Sequence, residues 1–323
     1  MKMRIKLTAA LLACALIGNV SCALAAPAKA PAKKPRPAAT KKPPQKAVRL
    51  KIEVPCRAWV PKTVPKVIVL CVHGLGLNSK SYEDFGKQMS DLGIAVFAVD
   101  VRGFGTWMQL KGKDEVDFNS CLTDVYQALD VLHKAYPGLP VYLLGESMGG
   151  AIALRVASTR PDLVDGLISA VPSGDRFHKT RQELGVALRI LSGRNRKAYD
   201  VGDKVIQQAT DDPAVADAWK GDPLNRMELT PHELVQFQKF MNDNHDAAKS
   251  VTKLPVLVMA GFKDKLVKPE GTIELFNELA SPDKLLVVVG NGEHLLFEEG
   301  HVTDQVIWVL LGWLKSHIEH KEI

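Results

Sequence analysis

Short runs of apolar residues alternate with longer amphipathic stretches from residue 66 onwards. Six of the short runs are almost entirely apolar, which is typical of strands that are covered on both faces. They span residues 66–72, 94–100, 141–145, 166–171, 255–261 and 284–290. The helix-length stretches span residues 79–92, 118–135, 148–159, 269–280 and 302–318. This alternation predicts an α/β domain with a mostly parallel sheet and helices on both faces.

Two segments depart from the alternation. "VRLKIEV" (48–54) precedes the first apolar run and predicts an antiparallel edge pair at the start of the sheet. Residues 173 to about 250 contain no convincing strand, and an insertion of that size predicts a helical cap that faces the strand ends. With the edge pair counted, the cap follows the sixth strand. One helical stripe in the cap carries apolar side chains, namely Phe177, Leu184, Leu188 and Leu191.

The charge of the chain is unevenly distributed. The formal net charge is +6, from 42 basic and 36 acidic side chains, but residues 1–50 hold eleven of the basic ones and no acid. Residues 51–323 therefore carry 31 basic and 36 acidic side chains. A mildly acidic domain gives no support to nucleic-acid binding, so we expect no nucleic-acid partner.

Residues 1–25 have the pattern of an export signal. Three basic side chains lie within the first six residues, and the apolar run "LTAALLACALI" that follows is too short to span a bilayer as a helix. "ALA" at 23–25 offers small residues for cleavage near Ala25. We therefore predict an exported protein that is periplasmic, attached to the cell envelope or secreted. "NVSC" leaves open an alternative in which Cys22 carries a lipid anchor.

Residues 26–47 consist mainly of Ala, Pro and Lys. A segment with so little apolar surface cannot offset the entropy lost on ordering, so we predict a disordered linker that leads into a domain at 48–323. Its positive charge could contact an anionic membrane surface. A solubilising tether is the other interpretation.

The predicted domain contains an odd number of cysteines, Cys56, Cys71 and Cys121. Cys71 lies within the apolar run "KVIVLCVHG" and is expected to be a buried small hydrophobe. One disulfide at most is possible, and the sequence does not choose the pair.

The stretch "VYLLGESMGGAIAL" (141–154) carries the strongest chemical signal. Its "GESMG" fits the G-x-S-x-G nucleophile elbow, with an apolar strand before it and a helix after it, as that motif requires. Gly145 and Gly149 lack Cβ atoms, so the chain can turn sharply and present Ser147 from a strained backbone position. Ser147 is therefore the candidate nucleophile.

A serine nucleophile needs a general base, and the base needs a carboxylate to orient it. Asp264 follows the apolar run 255–261, and His294 follows the run 284–290. Because parallel strands deliver the residues after their carboxyl ends to one edge of a sheet, these two side chains are the predicted partners of Ser147. Other acids nearby, and the histidines in or beside the last helix, are less well placed: Glu293, Asp283, His301, His317 and His320.

The oxyanion of an acyl-transfer reaction needs two backbone donors. The N–H of Met148 follows the nucleophile and opens a helix whose dipole favours negative charge there. The second donor is expected in "CVHGLGLNS", where Gly74 and Gly76 permit close approach of the backbone and the N–H of Leu75 would donate. His73 in this loop is expected to be structural rather than catalytic.

The motifs "HGLG", "DVRGFG", "GESMGG", "DPL", "GFKDKLV" and "GEHLLFEE" resemble, in this order, those of α/β-hydrolases of the monoacylglycerol lipase and lysophospholipase type, also called serine aminopeptidase S33-like. The resemblance covers about residues 50–320. It implies the α/β-hydrolase fold, a Ser147–Asp264–His294 triad, a helical cap, and hydrolysis of lipid-like monoesters without metal or organic cofactor. Two residues depart from the family pattern: Glu146 replaces the commoner His, and Thr106 the usual Ser.

Three functions follow as hypotheses. The first is an exported serine esterase that cleaves monoacylglycerols, lysophospholipids or similar single-chain lipid esters, with a general short-chain carboxylesterase as a variant. The apolar stripe of its cap would line an acyl pocket, and the cap's basic face could contact anionic lipid head groups.

The second hypothesis is an S33-type aminopeptidase. It would need carboxylates near the site to bind the α-ammonium group of a peptide. The candidates for that role are Glu146, Asp211, Asp212 and Asp217. The third is a non-catalytic envelope-binding protein. The presence of all three catalytic residue types argues against it, because a binding protein does not need them.

Overall fold

The computed structural model of the chain describes residues 52–172, 175 and 197–319, all within one compact unit, Ala47–Ile323. The predicted leader (1–25) and linker (26–47) lie outside the described residues, as does the predicted apolar stripe at 177–191 of the cap.

A seven-stranded sheet runs through the centre of the domain, and all of its strands are parallel except the first. The strands are β1 (Cys56–Trp59), β2 (Val67–Val72), β3 (Ile94–Val99), β4 (Val141–Glu146), β5 (Gly166–Ala170), β8 (Val256–Gly261) and β9 (Lys284–Val289). Their order in the sheet is β1-β3-β2-β4-β5-β8-β9. The six parallel strands coincide with the six apolar runs to within one residue at each end.

The helices of the described residues connect the strands and form the cap region. They are α1 (Glu83–Asp91), α2 (Phe118–Ala135), α3 (Met148–Thr159), α4 (Gly202–Ala209), α5 (Pro213–Gly221), α6 (Pro231–Asn242), α7 (Asn244–Ser250), α8 (Pro269–Glu278) and α9 (Asp304–Glu319). Short 3-10 helices span Ser79–Tyr82, Gly105–Gln109 and Pro161–Leu163. The predicted helix at 79–92 is therefore a 3-10 turn followed by α1.

The two faces of the sheet belong to separate hydrophobic clusters, as the alternation of side chains along β2 illustrates. Val67, Val69 and Cys71 pack on one side with residues of α1 and α9. The residues between them point to the other side and pack with residues of α2 and α3. Because both faces are covered, every residue of β2 is buried, which explains why the strand reads as a continuous apolar run.

The sheet has an antiparallel edge strand, as predicted, but at another place. The strand is Cys56–Trp59, which pairs with β3, while residues 52–54 of the predicted segment are not in a strand. Among the described residues, the helices of the cap region, α4 to α7, follow the fifth strand of the sheet, whereas the cap was predicted after the sixth. The segment between β5 and β8 also contains a two-residue antiparallel pair, β6 (Tyr199–Asp200) with β7 (Glu228–Leu229), which the sequence did not indicate.

The three cysteines of the domain are free thiols, and Cys71 is fully buried as expected. In the part of the chain that the structure describes, no helix is long and apolar enough to cross a bilayer. The same residues contain no group of three or more His, Cys, Asp or Glu side chains arranged to hold a metal ion.

Candidate active site

Ser147 occupies the sharp turn between β4 and α3. Its backbone has φ 53° and ψ −115°, a positive φ that is rare for a residue with a side chain. The Ser147 N–H donates to the Ala170 carbonyl of β5 at 2.9 Å. A Cβ atom at Gly149 would collide with the Val72 carbonyl oxygen, so only glycine allows α3 to start this close to the end of β2. The local packing therefore enforces the strained serine.

Asp264 and His294 meet at the carboxyl edge of the sheet. His294 Nδ1 lies 2.8 Å from Asp264 Oδ2, and both side chains are almost completely buried. The other oxygen of the carboxylate accepts the N–H groups of Leu266 and Val267 at 2.7 and 2.9 Å. An ionised carboxylate can only accept, so Nδ1 donates to Asp264 and Nε2 of His294 is the nitrogen that remains basic.

The electrostatic surroundings of His294 favour its protonated form. Burial lowers the pKa of His294, but the Asp264 carboxylate, its hydrogen bond and the charge of Glu146 together raise it above its ordinary value. An imidazolium that forms during a reaction is therefore stabilised in this position.

The alternative acids are engaged elsewhere. Asp283 Oδ2 lies 3.1 Å from His317 Nε2 on the surface. Glu293 Oε2 lies 3.2 Å from His301 Nε2, and the Glu293 carboxylate also accepts the Asp211 N–H. Asp264 is thus the carboxylate that the structure brings to His294, while His320 lies outside the described residues.

The loop after β2 carries Leu75, the predicted oxyanion donor. His73 holds this loop: its Nε2 accepts the Val101 N–H at 2.9 Å, and its Nδ1 donates to the Gly74 carbonyl at 2.8 Å. Burial lowers the pKa of His73 and keeps the ring neutral, as this pair of contacts requires. Its role is structural, as the sequence predicted.

Met148, the other predicted donor, is the first residue of α3, where an N–H has no intrahelical partner. Gly149 abuts the carbonyl oxygens of Val72 and His73. The start of α3 and the loop with Leu75 therefore lie side by side at the same edge of the sheet.

Two buried glutamates connect the segments of the site, and sequence reasoning missed one of them. The Glu146 carboxylate accepts the N–H groups of Leu296, Phe297 and Glu298 at 2.6, 3.1 and 3.2 Å. Glu298 in turn accepts the Gly74 N–H on Oε1 at 2.9 Å. Both glutamates have no exposed surface. The only sequence signal for Glu298 is an acid directly after the apolar run "LLF".

The segment before α6 contacts the loop after β2. The Arg226 N–H donates to the Gly76 carbonyl at 2.8 Å, and Asn78 Nδ2 donates to Asn225 Oδ1 at 2.8 Å. Near this contact lies a small apolar cluster that joins residues beside the site to residues of α4 and α5, namely Leu77, Leu295, Ile206, Ala209 and Trp219. The cap region is therefore anchored directly beside the candidate catalytic residues.

The acids considered for an aminopeptidase are separately engaged. Glu146 is fully buried and accepts backbone N–H groups. Asp211 forms an exposed ion pair with Lys265, and Asp212 caps α5. Asp217 is exposed on that helix. Among the described residues these acids form no common ammonium-binding site.

Comparison with known proteins identifies the family of the chain. The family model described as serine aminopeptidase, S33, matches residues 63–301. The human monoglyceride lipase is 31% identical over 268 residues, which cover 81% of this chain and 86% of that protein. The monoacylglycerol lipase of Mycolicibacterium smegmatis is 25% identical over 266 residues, covering 80% of this chain and 92% of that protein.

Solved structures show the same fold. The monoacylglycerol lipase of Paleococcus ferrophilus superposes with a TM-score of 0.68 at 26% identity, covering 82% of this chain and 99% of that one. A soluble variant of the monoglyceride lipase of Saccharomyces cerevisiae, in complex with a substrate analog, gives a TM-score of 0.70 at 20% identity, covering 86% and 98%. The chain therefore belongs to the serine aminopeptidase S33 family of α/β-hydrolases and is a serine ester hydrolase of the monoglyceride lipase type.

Proposed function

We propose that the protein hydrolyses the carboxylic esters of single-chain lipids, such as monoacylglycerols or lysophospholipids, through a triad of Ser147, His294 and Asp264. The observation that carries the proposal is the strained Ser147 at the same sheet edge as the buried His294–Asp264 pair. The relatives named as monoglyceride or monoacylglycerol lipases support the choice of substrate.

The reaction follows from the roles of these groups. His294 Nε2 removes the proton of Ser147 Oγ, which attacks the ester carbonyl, and the N–H groups of Leu75 and Met148 bind the oxyanion. His294 then donates the proton to the departing alcohol, which leaves an acyl-serine. Water, deprotonated by the same histidine, releases the fatty acid.

We infer that the cap region supplies part of the apolar surface for the acyl chain, because a cavity beside Leu75 is lined by Ile206 and Trp219. Leu77 and Leu295 flank the loops of the site, and they pack against Ile206 and Trp219 of the cap helices. A chain of methylene groups gains roughly 0.8 kcal/mol for each group that it buries on such a surface. Long acyl chains should therefore be preferred to acetyl esters.

A chain-length series tests the substrate class. We expect kcat/KM of the protein without its leader to rise from acetyl to medium or long monoacylglycerols, and aminoacyl arylamides to be turned over poorly. Activity confined to acetyl and butyryl esters would instead indicate a general esterase. Efficient release of arylamines would indicate the aminopeptidase and contradict the proposal.

We further propose that residues 1–25 direct export and that the positive charge of the linker at 26–47 can contact an anionic envelope surface. The support is the charge and apolar pattern of the leader. Mass spectrometry of the N-terminus of the protein from the periplasm or medium tests this. A new N-terminus near residue 26 is expected, whereas a diacylated Cys22 would indicate a lipoprotein and an intact Met1 would contradict export.

A further inference from the structure

Glu298 is a carboxyl group whose polar partners are one backbone N–H and two hydroxyl groups, those of Ser81 and Tyr82. It has no exposed surface, and its Oε1 accepts the Gly74 N–H at 2.9 Å. Its Oε2 lies 2.6 Å from Ser81 Oγ. Glu298 lies four residues after His294 along the chain, and its partners lie more than two hundred residues away in the loop after β2.

The partners of Ser81 indicate where the proton lies. Ser81 Oγ is also 2.8 Å from the Asn78 carbonyl oxygen, which can only accept. A hydroxyl has one proton, so both contacts can be hydrogen bonds only where Ser81 donates to Asn78, whose carbonyl oxygen has no proton to give. The 2.6 Å contact between Ser81 and Glu298 then needs a proton from the carboxyl group.

The neighbouring tyrosine leads to the same conclusion. The Tyr82 hydroxyl donates its proton to the Val72 carbonyl at 2.9 Å, although it also lies beside Glu298. It therefore supplies no second proton to the carboxyl oxygens. A neutral carboxylic acid satisfies the whole set, because its carbonyl oxygen accepts from Gly74 and its hydroxyl donates to Ser81.

Glu146 shows the opposite pattern. Its two oxygens accept three backbone N–H groups, from Leu296, Phe297 and Glu298, with a shortest distance of 2.6 Å. Three donors on one carboxyl group are the surroundings of an ionised carboxylate. The contacts therefore indicate that Glu298 is the neutral acid and Glu146 the carboxylate.

The charges around the pair agree with this division. Burial and then the negative charge of Glu146 raise the pKa of Glu298 well above its usual range, although its hydrogen bonds with Ser81, Gly74 and Tyr82 act in the opposite direction. Burial also raises the pKa of Glu146, to about 7, but this rise is limited because the backbone N–H groups and the charge of His294 oppose it. The other titratable groups that face Glu298, Tyr82 and Cys71, are buried, and their pKa values are raised, so both are neutral.

We propose that Glu298 is held as a neutral carboxylic acid and, together with the Glu146 carboxylate, acts as a positioning residue that fixes the loop of Leu75 against the turn of Ser147. The Glu298 acid accepts the N–H of Gly74, which directly precedes Leu75. Glu146, which directly precedes Ser147, accepts the N–H groups of the segment after His294. This role rests on the proposed esterase function, since Leu75 is placed there as an oxyanion donor.

Ionisation of Glu298 would place two negative charges in one buried site. Mutual repulsion, and loss of the hydrogen bond to Ser81, would move the loop and weaken oxyanion binding. A misplacement on the order of 1 Å can lower turnover about 10²-fold. We therefore expect kcat/KM to fall on the alkaline side as this proton is lost.

Substitution with glutamine should affect Glu298, proposed to be a neutral acid, less than Glu146, proposed to be a carboxylate. Glu298→Gln keeps an acceptor for Gly74 and a donor for Ser81, so it mimics the neutral acid. For Glu298→Gln we expect kcat/KM near pH 7 to be within about threefold of the parent and to show no alkaline decline. Glu298→Leu should lower kcat/KM roughly tenfold or more, since it leaves the Gly74 N–H unpaired. Glu146→Gln would point the NH₂ of an amide toward the backbone N–H donors of the segment after His294. We expect it to lower kcat/KM roughly 10²-fold.

A measurement without turnover keeps this test independent of the proposed function. In the Ser147→Ala background, urea unfolding is followed from pH 5 to pH 9 for the protein that retains Glu298 and for the Glu298→Gln variant. A group whose pKa is raised on folding contributes stability that is lost as pH rises through its folded pKa. We expect the unfolding midpoint to fall more steeply with pH in the protein that retains Glu298 than in the Glu298→Gln variant.

The outcomes decide between the two roles of Glu298. Equal pH slopes in the two proteins, or a Glu298→Gln enzyme as impaired as Glu298→Leu, would show that Glu298 acts as a carboxylate and would overturn the proposal. Absence of esterase activity with different pH slopes would contradict the proposed function alone, because the proton on Glu298 would still be demonstrated.

Discussion

Glu146 accepts the backbone N–H of Leu296 at 2.6 Å, across 150 residues of sequence. The first of these residues directly precedes Ser147, and the second lies two positions after His294. The hydrogen bond therefore fixes the nucleophile turn relative to the segment that carries the base. The same carboxylate contributes to the raised pKa of His294, so the contact has both a geometric and an electrostatic consequence for the site.

Asp264→Asn should lower kcat by about 10³–10⁴-fold while the protein stays folded, because an amide does not hold His294 in the tautomer with a basic Nε2. Steady-state kinetics with a monoacylglycerol measure the effect. Asp283→Asn is the matched control, since Asp283 contacts His317 on the surface. Its activity should stay within about twofold of the parent, because exposed pairs of this kind contribute little. Equal losses in both variants would contradict the assignment of Asp264.

The acid side of the pH profile should report His294. Its pKa lies above the ordinary value because Asp264 and Glu146 outweigh the effect of burial, and only the neutral ring can act as a base. We therefore expect kcat/KM to rise with pH through a midpoint above about 6.5. Asp264→Asn removes the main raising interaction and should move the midpoint of the residual activity to lower pH. A midpoint that does not respond to this substitution would assign the titration to another group.

Gly149→Ala should destabilise the domain strongly, because the new Cβ would collide with the Val72 carbonyl oxygen. Overpacking against backbone costs about 3 kcal/mol, which corresponds to a fall in Tm of roughly 6–12 °C in a domain of this size. Gly312→Ala in α9 is the control: nothing lies within 4 Å of the added Cβ, and Tm should rise by roughly 2–4 °C. Thermal unfolding measures both, and an unchanged Tm for Gly149→Ala would show that the turn can relax.

Arg226→Ala should loosen the contact between the cap region and the domain. Arg226 Nη2 donates to the nearly buried Glu233 at 2.8 Å, and Nη1 donates to the Gly103 carbonyl at 2.9 Å. Their loss should lower the free energy of unfolding by roughly 2–3 kcal/mol. Arg160→Ala removes an exposed pair with Asp162 and should leave the urea midpoint almost unchanged, because solvent screens such a pair. Urea unfolding compares them, and similar values would contradict the structural role of Arg226.

Much of the fold was predictable because parallel strands that are buried on both faces appear in the sequence as continuous apolar runs. The apolar runs predicted six strands, and the elbow pattern with the chain order of Asp264 and His294 predicted candidate residues that the structure brings to one edge of the sheet. The edge strand was predicted at the wrong place since local pattern favours 48–54 over "CRAW". Tertiary packing decides otherwise: Trp59 lies directly against Gly86 of α1, where any Cβ would collide with the indole.

Glu298 shows why part of the site could not be predicted. Its role depends on Gly74 and Ser81, which are 224 and 217 residues away in the sequence. No local periodicity records such a contact, and an acid in "FEEG" is ordinarily read as a surface residue. Glu146 was visible as a departure from the family pattern, but its three backbone partners become apparent only when the segment after His294 is folded against the turn.

The most direct test of the account is the turnover of a long-chain monoacylglycerol by the protein without its leader, with Ser147→Ala beside Ser158→Ala. Ser158 lies in the same helix α3, and its hydroxyl donates to the local Arg155 carbonyl. We predict that Ser147→Ala loses turnover by roughly 10⁴-fold or more, while Ser158→Ala stays within about twofold. Ester hydrolysis that survives Ser147→Ala in a correctly folded protein would contradict the central claim that this serine is the nucleophile.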